Sequence, residues 1–437
     1  MSDFFTTKIF LDNQLGVNGH DLNQITSGMA PNPDFITNKT LANQPSANGS
    51  DQILLCQGGT TLVRTPYSGF FLPAYVRPAA GLPQYVSTIN GDMSVWQPGV
   101  SFPNVASGTL TADMYKPTTT LATGQANITQ LNLLGSLVGT ANNYRPRSGY
   151  RVTVATSQSS LGAGEYFAIT QKIERSQARK LFDQPSSNQV WVRSSVAGTF
   201  SFGLRNADQS QTYKADFSVG TPNVWQRLTM PNIATMPDAS GDWGTAETDL
   251  SYVIGITLGC GSTFQSATQN AWVAGNFLGS ASQTNLFATG AATFDICLLQ
   301  HESGTVCTPF APDKSFSDTL LRCKRYFQKT YPYGSYAGTA NLSGSAILTC
   351  DTTAVARGTW QLNPSMRITP TWSVYNASTG AGPGSTVWDL TSSASIGSVA
   401  AVGAPLASAD SAGSVGYTSG GTVGHLLAVH LTADASL

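Results

Sequence analysis

Six stretches between residues 150 and 298 alternate apolar and polar side chains with a period of two. They are Tyr150–Val154, Gln189–Arg193, Thr199–Leu204, Tyr213–Val219, Ile254–Leu258 and Phe294–Leu298. A period of two places every second side chain on one face of a strand, whereas a buried helix needs a period near 3.6. Clusters of Gly, Asn, Ser and Pro separate the runs. This pattern predicts antiparallel sheets packed face to face, each with one wet face. Composition agrees. Only 11% of residues are charged, against about 25% in ordinary domains, and polar uncharged residues with 43 Gly take their place. So few Glu and Lys exclude a coiled coil, and 10% aromatic residues exclude a disordered chain. A net charge of −1 offers no basic excess for phosphates, so nucleic acid is not an expected partner. No apolar run approaches the roughly 18 residues that span a bilayer.

The 437 residues suffice for more than one core. Residues 1–45 are rich in Asn, Thr and Gln and read as an attachment segment ordered by a partner. They lack a basic start and a long apolar stretch, so no cleaved signal is expected. Residues 46–84 hold a β-hairpin around Gly58-Gly59, then a linker broken by Pro66, Pro73, Pro78 and Pro83. Residues 85–312 form the main sandwich. Within them, Glu174 to Phe182 reads either as one helical turn or as a charged loop. Residues 313–437 form a second β unit, opened by a short helix that Ser317-Asp318 would cap, with strands at 325–329, 346–350, 359–362, 368–375 and 422–433.

Motifs for chemistry are sparse. There are four histidines, and His425 and His430 fall on opposite faces of one strand, so they cannot jointly bind a metal from one face. No H-E-x-x-H, G-x-S-x-G or P-loop occurs. No cofactor is expected. Asp238, Asp242, Glu247 and Asp249, near Trp243, are the carboxylates a glycan-cleaving enzyme would need, but they read as a solvated loop. Glu165, Glu174 and Glu302 read as structural. None of the six cysteines forms a C-x-x-C pair, and buried free thiols are expected. Cys297 and Cys307 would face each other only if His301–Ser303 closed a three-residue hairpin loop. Tyr331, Tyr333, Tyr336, Trp372, Tyr375 and Trp388 are candidate sugar-stacking rings, with packing between subunits or domains as the alternative.

Leu320-Leu321-Arg322-Cys323-Lys324-Arg325-Tyr326-Phe327 resembles the L-x-x-C-x-R-Y-[YF] signature of bacteriophage tail-fibre and related virion fibre proteins. The preceding Phe294-Asp295-Ile296, Leu299–Gly304 and Thr308-Pro309-Phe310 are similar to the last strands of that family's carbohydrate-binding-module-like jelly roll. Asn90-Gly91-Asp92-Met93-Ser94-Val95-Trp96-Gln97 looks like its opening motif. Met366–Thr371 and Ala433-Asp434-Ala435 resemble its C-terminal part, and Ser50-Asp51 with Gly58-Gly59 its short attachment hairpins. The resemblance spans residues 46–437 and supplies no catalytic or ligand residues. It implies an all-β chain of serial antiparallel, jelly-roll-like β-sandwich domains behind an extended N-terminal attachment segment, and commonly a homotrimer.

The resulting expectation is a virion structural protein assembled in the host cytoplasm. It would be a tail or host-attachment fibre that adheres to surface polysaccharide and docks on other virion proteins through its N-terminal segment. A capsid decoration, head-fibre or collar protein is the alternative, and a glycan depolymerase a more distant one. Between Thr371 and Leu437 the only charged side chains are Asp389, Asp410 and Asp434. Such a surface costs little charge desolvation, so the C-terminal unit is expected to pack against its own copies.

Overall fold

The computed structural model describes residues 52–57, 61–66, 85–134, 138, 144–311, 315–352, 355–382, 386–397, 410–417 and 421–437; the expected attachment segment, 1–45, lies outside them. The chain divides into two compact units, 1–82 and 83–437. In the first, β1 (Gln52–Gln57) pairs antiparallel with β2 (Thr61–Pro66), the hairpin expected around Gly58-Gly59.

The second unit is antiparallel throughout its named strands. It runs β3 (Ser101–Phe102), β4 (Tyr115–Thr119), β5 (Gln125–Asn132), β6 (Ser148–Thr156), β7 (Tyr166–Glu174), a one-turn helix α1 (Arg175–Ala178), β8 (Ser186–Ser194) and β9 (Gly198–Asn206). It continues through β10 (Gln211–Val219), β11 (Gln226–Ile233), β12 (Leu250–Cys260), β13 (Trp272–Ala274) and β14 (Thr293–Ser303). These twelve strands make two six-stranded sheets, in the orders β11-β8-β14-β6-β5-β3 and β13-β10-β9-β12-β7-β4. All six alternating runs of the sequence lie in these strands. Their apolar halves, among them Tyr150, Val152, Val190, Phe200, Phe202, Ile254, Ile256 and Phe294, meet in one core.

α1 and the 3-10 turn Arg179–Leu181 occupy the ambiguous segment after Glu174, and Ala178 and Leu181 are buried. The hairpin weighed at His301–Ser303 does not form. β14 runs straight through these residues, which pair with Asn188, Ser187 and Ser186 of β8. A bulge at Leu298, whose φ is +53°, shifts the register between Cys297 and Gln300. Cys297 and Cys307 are free thiols, as are Cys260, Cys323 and Cys350.

α2 (Phe316–Lys324) then leads into β15 (Phe327–Lys329), β16 (Ala346–Thr352), β17 (Val355–Gln361), β18 (Thr371–Asn376), β19 (Val387–Asp389), β20 (Ala394–Ile396), β21 (Ala412–Tyr417) and β22 (Leu426–Asp434). These eight strands form one sheet with β22 at its centre, over a small core of Leu348, Val374, Val387, Leu427, Val429 and Leu431. The cap of α2 is Ser315, not Ser317-Asp318: the Asp318 amide donates to Ser315 Oγ at 3.2 Å. Ser315→Ala should cost about 1 kcal/mol in equilibrium unfolding. A change below the error of the measurement would show that the helix is held by packing alone.

The familiar motifs turn out to be packing devices. In Asn90–Gln97, the Asn90 side chain bridges Val95 and the Asp113 carbonyl, while Trp96 is buried and stacks on Tyr150 at 5.6 Å. Gly91 is required there, because a Cβ would lie 2.1 Å from the Leu299 carbonyl oxygen. In the second motif, Cys323 and Tyr326 belong to the sandwich core, and Arg325 donates to the buried Glu174 at 3.0 Å.

Candidate functional site

The outer face of the sheet β13-β10-β9-β12-β7-β4 is a trough of small polar side chains. The register gives three adjacent rows across it. The first is Lys172, Val253, Arg205 and Thr212. The second is Lys116, Thr170, Gly255, Gly203 and Lys214, and the third Thr118, Ala168, Thr257, Ser201 and Asp216. These outward positions alternate with the core residues Phe202, Leu204, Ile254 and Ile256.

Two glycines meet at the centre. A Cβ on Gly255 would find nothing closer than Thr170 Cγ2 at 3.9 Å, and on Gly203 nothing closer than the Tyr213 carbonyl at 3.5 Å. A Cβ would thus make only ordinary contacts at either position; Gly203 is partly exposed, whereas Gly255 and the flanking Ala168, Thr170, Ser201, Thr257 and Val253 are buried. The segment 262–283 walls one side. Gln269 Nε2 donates to Asp216 Oδ2 at 2.5 Å, Thr212 Oγ1 donates to the Gly275 carbonyl at 2.6 Å, and Arg205 donates to Asn276 Oδ1 at 2.9 Å. At the far end Tyr166 and Phe264 meet edge to face, 4.9 Å apart, both half-exposed.

Lys214 is fully buried. Its ammonium lies 3.4 Å from Asp216 Oδ1, which also accepts from Ser201 Oγ at 2.6 Å. Burial lowers the Lys214 pKa, and Asp216 partly restores it. Among the described residues Arg205, 6% exposed, donates to the amide oxygens of Gln209 and Asn276, and its burial too lowers its pKa. Asp216 is the only carboxylate in the three rows, and every other polar group there is a hydroxyl or a cation. Most of these donors are engaged within the fold, Thr170 on the Lys116 carbonyl, Thr212 on Gly275, Ser201 on Asp216 and Lys116 on the Leu437 main-chain oxygen, and the partly exposed positions are Lys116, Thr118, Lys172, Gly203 and Asp216, with the rings of Tyr166 and Phe264 beyond them.

The outer face of the opposite sheet is also covered in part. Leu133, Val138, Trp191, Cys297, Leu298 and Phe310 form a second small core over part of it. Beside them, buried Asp295 is clamped by Arg151 and Arg193, and Arg193 lies over the Trp225 ring at 4.8 Å.

The rings singled out in the sequence do not form one platform. Tyr331 is 3% exposed, stacked on His430 at 3.7 Å and edge-on to Tyr375, so it is a core residue with no face to offer. Trp372 packs on Trp360 at 5.6 Å. Because strand side chains alternate, Trp372 and Tyr375 point to opposite faces of β18. Tyr333 accepts from the Trp96 amide at 3.0 Å and donates to the Ser94 carbonyl, fastening the C-terminal sheet to the sandwich. Lys329 lies over Tyr336 at 5.0 Å, and Trp388 is half-buried on β19.

The acidic loop is also internally satisfied. Glu247 pairs with Arg179, Asp249 accepts from the Thr245 and Ala246 amides, and Trp243 is buried. His425 contacts Asp389 at 2.7 Å, while His430 contacts Thr330 and Asn341. Among the described residues no three His, Cys, Asp or Glu side chains converge to hold a metal, and no helix is long and apolar enough to cross a membrane.

No protein-family model matches this sequence, and none of the curated proteins does. Solved structures with a similar course of chain include the carbohydrate-binding module TmCBM61, solved with β-1,4-galactotriose. It is 8% identical over 50% of this chain and 99% of its own, with a TM-score of 0.25. A family 11 carbohydrate-binding module from Clostridium thermocellum, solved with a mixed-linked tetrasaccharide, is 9% identical over 47% of this chain and 96% of its own, at a TM-score of 0.23. The enzymatically active domain of tailspike protein 4 of bacteriophage CBA120 is 10% identical over 47% of this chain and 21% of its own, at a TM-score of 0.24.

Proposed function

We propose that this protein binds a glycan in the trough and does not cleave it, and that it serves as an adhesive fibre of a phage particle. The observation that carries the binding reading is the Gly203–Gly255 pair. It leaves the centre of this sheet face without side chains, with Gly203 partly exposed and Lys116, Thr118, Lys172 and Asp216 partly exposed around it. A sugar chain presents a dense array of hydroxyls with apolar ring faces, which would meet Thr118, the Gly203 peptide and the partly exposed charged groups, with Tyr166 and Phe264 at one end. Cleavage would need two facing carboxylates. The trough rows contain only Asp216, already engaged by Ser201, Lys214 and Gln269.

The fibre reading rests on the order of the motifs along the chain and on the charge-poor C-terminal sheet. Ile347, Leu390 and Leu426 of that part are exposed although apolar. Packing three copies through this face would cover them and raise weak glycan contacts by avidity.

Gly255→Val and Gly203→Val test the site. Valine suits a strand, and a Cβ at either position meets no atom closer than 3.5 Å, so both variants should fold, which their melting curves check first. Each should lose at least tenfold in affinity for the glycans that the parent retains on an array. Unchanged binding in both would place the site elsewhere. Light scattering should give three times the 45.9 kDa chain mass; a monomer would remove the trimeric fibre. Gold labelling on particles separates a tail position from a head or collar position.

A further inference from the structure

We infer that residues 275–283 form a gate at the side of the trough, an arm that lifts off the sheet to admit the glycan and otherwise occupies polar groups that the ligand would use. This deepens the glycan reading and rests on it. The arm lies between two fixed points. Before it, β13 pairs with β10, and Trp272 packs on Tyr213 and Trp243 and donates through its indole to the Ala234 carbonyl at 2.9 Å. After it, the Thr284 amide donates to the Thr199 carbonyl of β9 at 2.7 Å, and the Thr284 hydroxyl accepts from the Thr199 amide at 2.9 Å.

What holds the arm down between these points is polar. Asn276 accepts from Arg205 at 2.9 Å and donates to Gln209 at 2.8 Å. The Thr212 hydroxyl donates to the Gly275 carbonyl and accepts from the Phe277 amide. Gln283 donates to the Thr257 carbonyl at 2.8 Å and accepts from the Cys260 thiol at 2.9 Å. The Gly275 amide donates to the Ser210 carbonyl, whereas the Leu278 and Gly279 amides donate to Phe264 of the same segment 262–283. Leu278 is the one buried apolar side chain of the arm, and no residue of the arm belongs to the sandwich core.

Such a piece opens at low cost, because lifting it breaks few apolar contacts and the polar groups it frees can bond to water. Gly275, at φ +122°, starts the arm with a backbone conformation that side chains rarely adopt and glycine adopts freely. Arg205, Thr212, Thr257 and Cys260 are buried, and each loses a partner when the arm lifts. Arg205 and Thr212 can then donate to a sugar hydroxyl, and the Thr257 carbonyl can accept from one. Arm and ligand thus compete for one set of hydrogen bonds. The affinity of the parent is reduced by the fraction of molecules that stand closed.

Hydrogen exchange of the full-length chain tests the motion without any ligand. The Leu278 and Gly279 amides should exchange about 100-fold faster than the Ile254 and Ile256 amides of β12. A staple then tests the gate. A Cβ on Gly279 would lie 2.8 Å from Cys260 Sγ, close to the roughly 3 Å between a Cβ and the far sulfur of a disulfide, and would otherwise meet the flexible end of Gln283. Oxidised Gly279→Cys should therefore form a disulfide with Cys260. It should slow exchange in the arm and bind about tenfold more weakly to the glycans of a printed array that the parent retains, and reduction should restore both. Gln283→Ala, which removes two of the closing bonds, should bind the same glycans about threefold more tightly than the parent. Exchange in the arm as slow as in β12, an oxidised staple that binds as the parent does, or Gln283→Ala binding no more tightly than the parent overturns the gate and leaves the glycan reading standing. Binding of no printed glycan by any form overturns both.

Discussion

Asp113→Asn should lose roughly 2–3 kcal/mol of stability relative to the parent between pH 6 and pH 4. Two buried groups in the sandwich act in opposite senses over this range. Burial raises the Asp113 pKa from 3.8 to about 6, against hydrogen bonds from the Gln97 amide and Gln97 Nε2, both at 2.6 Å. Burial lowers the His301 pKa from 6.5 to about 3; its Nδ1 contacts the Tyr252 hydroxyl at 2.8 Å. A raised acid pKa means that the fold binds its proton more tightly than the unfolded chain does. The Asp113 contribution is therefore complete below pH 3.8 and is lost as pH rises through 6. A depressed histidine pKa works the other way: its contribution is complete above pH 6.5 and is lost as pH falls toward 3. Between pH 4 and 6 the two nearly cancel in the parent. Removing the carboxylic acid leaves the histidine unopposed, and stability falls with acid. His301→Gln should show the reverse, gaining stability relative to its own value at pH 6 as the solution is acidified. Urea unfolding at half-unit pH steps reads both slopes. Parallel curves for Asp113→Asn and the parent would refute the coupling.

Arg325→Ala should destabilise the second unit by about 3 kcal/mol. Glu174 is 1% exposed at the end of β7, and Arg325 is the charge that answers it; Ser176 Oγ adds a hydrogen bond. Truncating the arginine leaves a buried carboxylate with the Ser176 hydroxyl bonded to it and only the more distant charge of Arg367 acting on it. Arg325 is about one-third exposed, so water reaching the site sets the loss nearer the lower end of the range for broken buried pairs. Replacing both partners, as Glu174→Gln with Arg325→Met, should recover much of the loss, because no uncompensated charge remains. Chemical unfolding of the two variants decides it. A loss under 0.5 kcal/mol in Arg325→Ala would mean that Glu174 finds water or another donor.

This pair also shows what a motif can and cannot convey. The L-x-x-C-x-R-Y-F run is visible in the sequence, but its meaning is mechanical. Cys323 and Tyr326 fill the sandwich core, and Arg325 neutralises a carboxylate some 150 positions earlier. The Asn90–Gln97 run is likewise a plug, with Gly91 pressed against the Leu299 carbonyl. A resemblance built on such residues identifies a way of packing and contributes no ligand chemistry.

The burial of Tyr331 was hidden for a related reason. Tyr331 lies between strands in a polar stretch, which reads as exposure. Only the fold shows His430 and Tyr375 closing over it from β22 and β18. The trough went unread because no single strand displays it. Ser201-Phe202-Gly203-Leu204-Arg205 alternates plainly, yet its outward set becomes a surface only when β12 brings Thr257, Gly255 and Val253 into register beside it.

Alternation of side chains along each strand was therefore determined by the sequence alone, since backbone geometry sends successive residues to opposite faces whatever lies around them. The all-β class, the positions of the main strands and the apolar half of the core followed from that local rule. Register, bulges and sheet order depend on contacts between segments far apart in the chain. Leu298 at positive φ, the passage of β14 through His301–Ser303 and the meeting of Gly203 with Gly255 are all of this kind. Tertiary packing alone decided them, because shifting one strand by a single residue would exchange its buried and exposed faces and leave its own sequence unchanged.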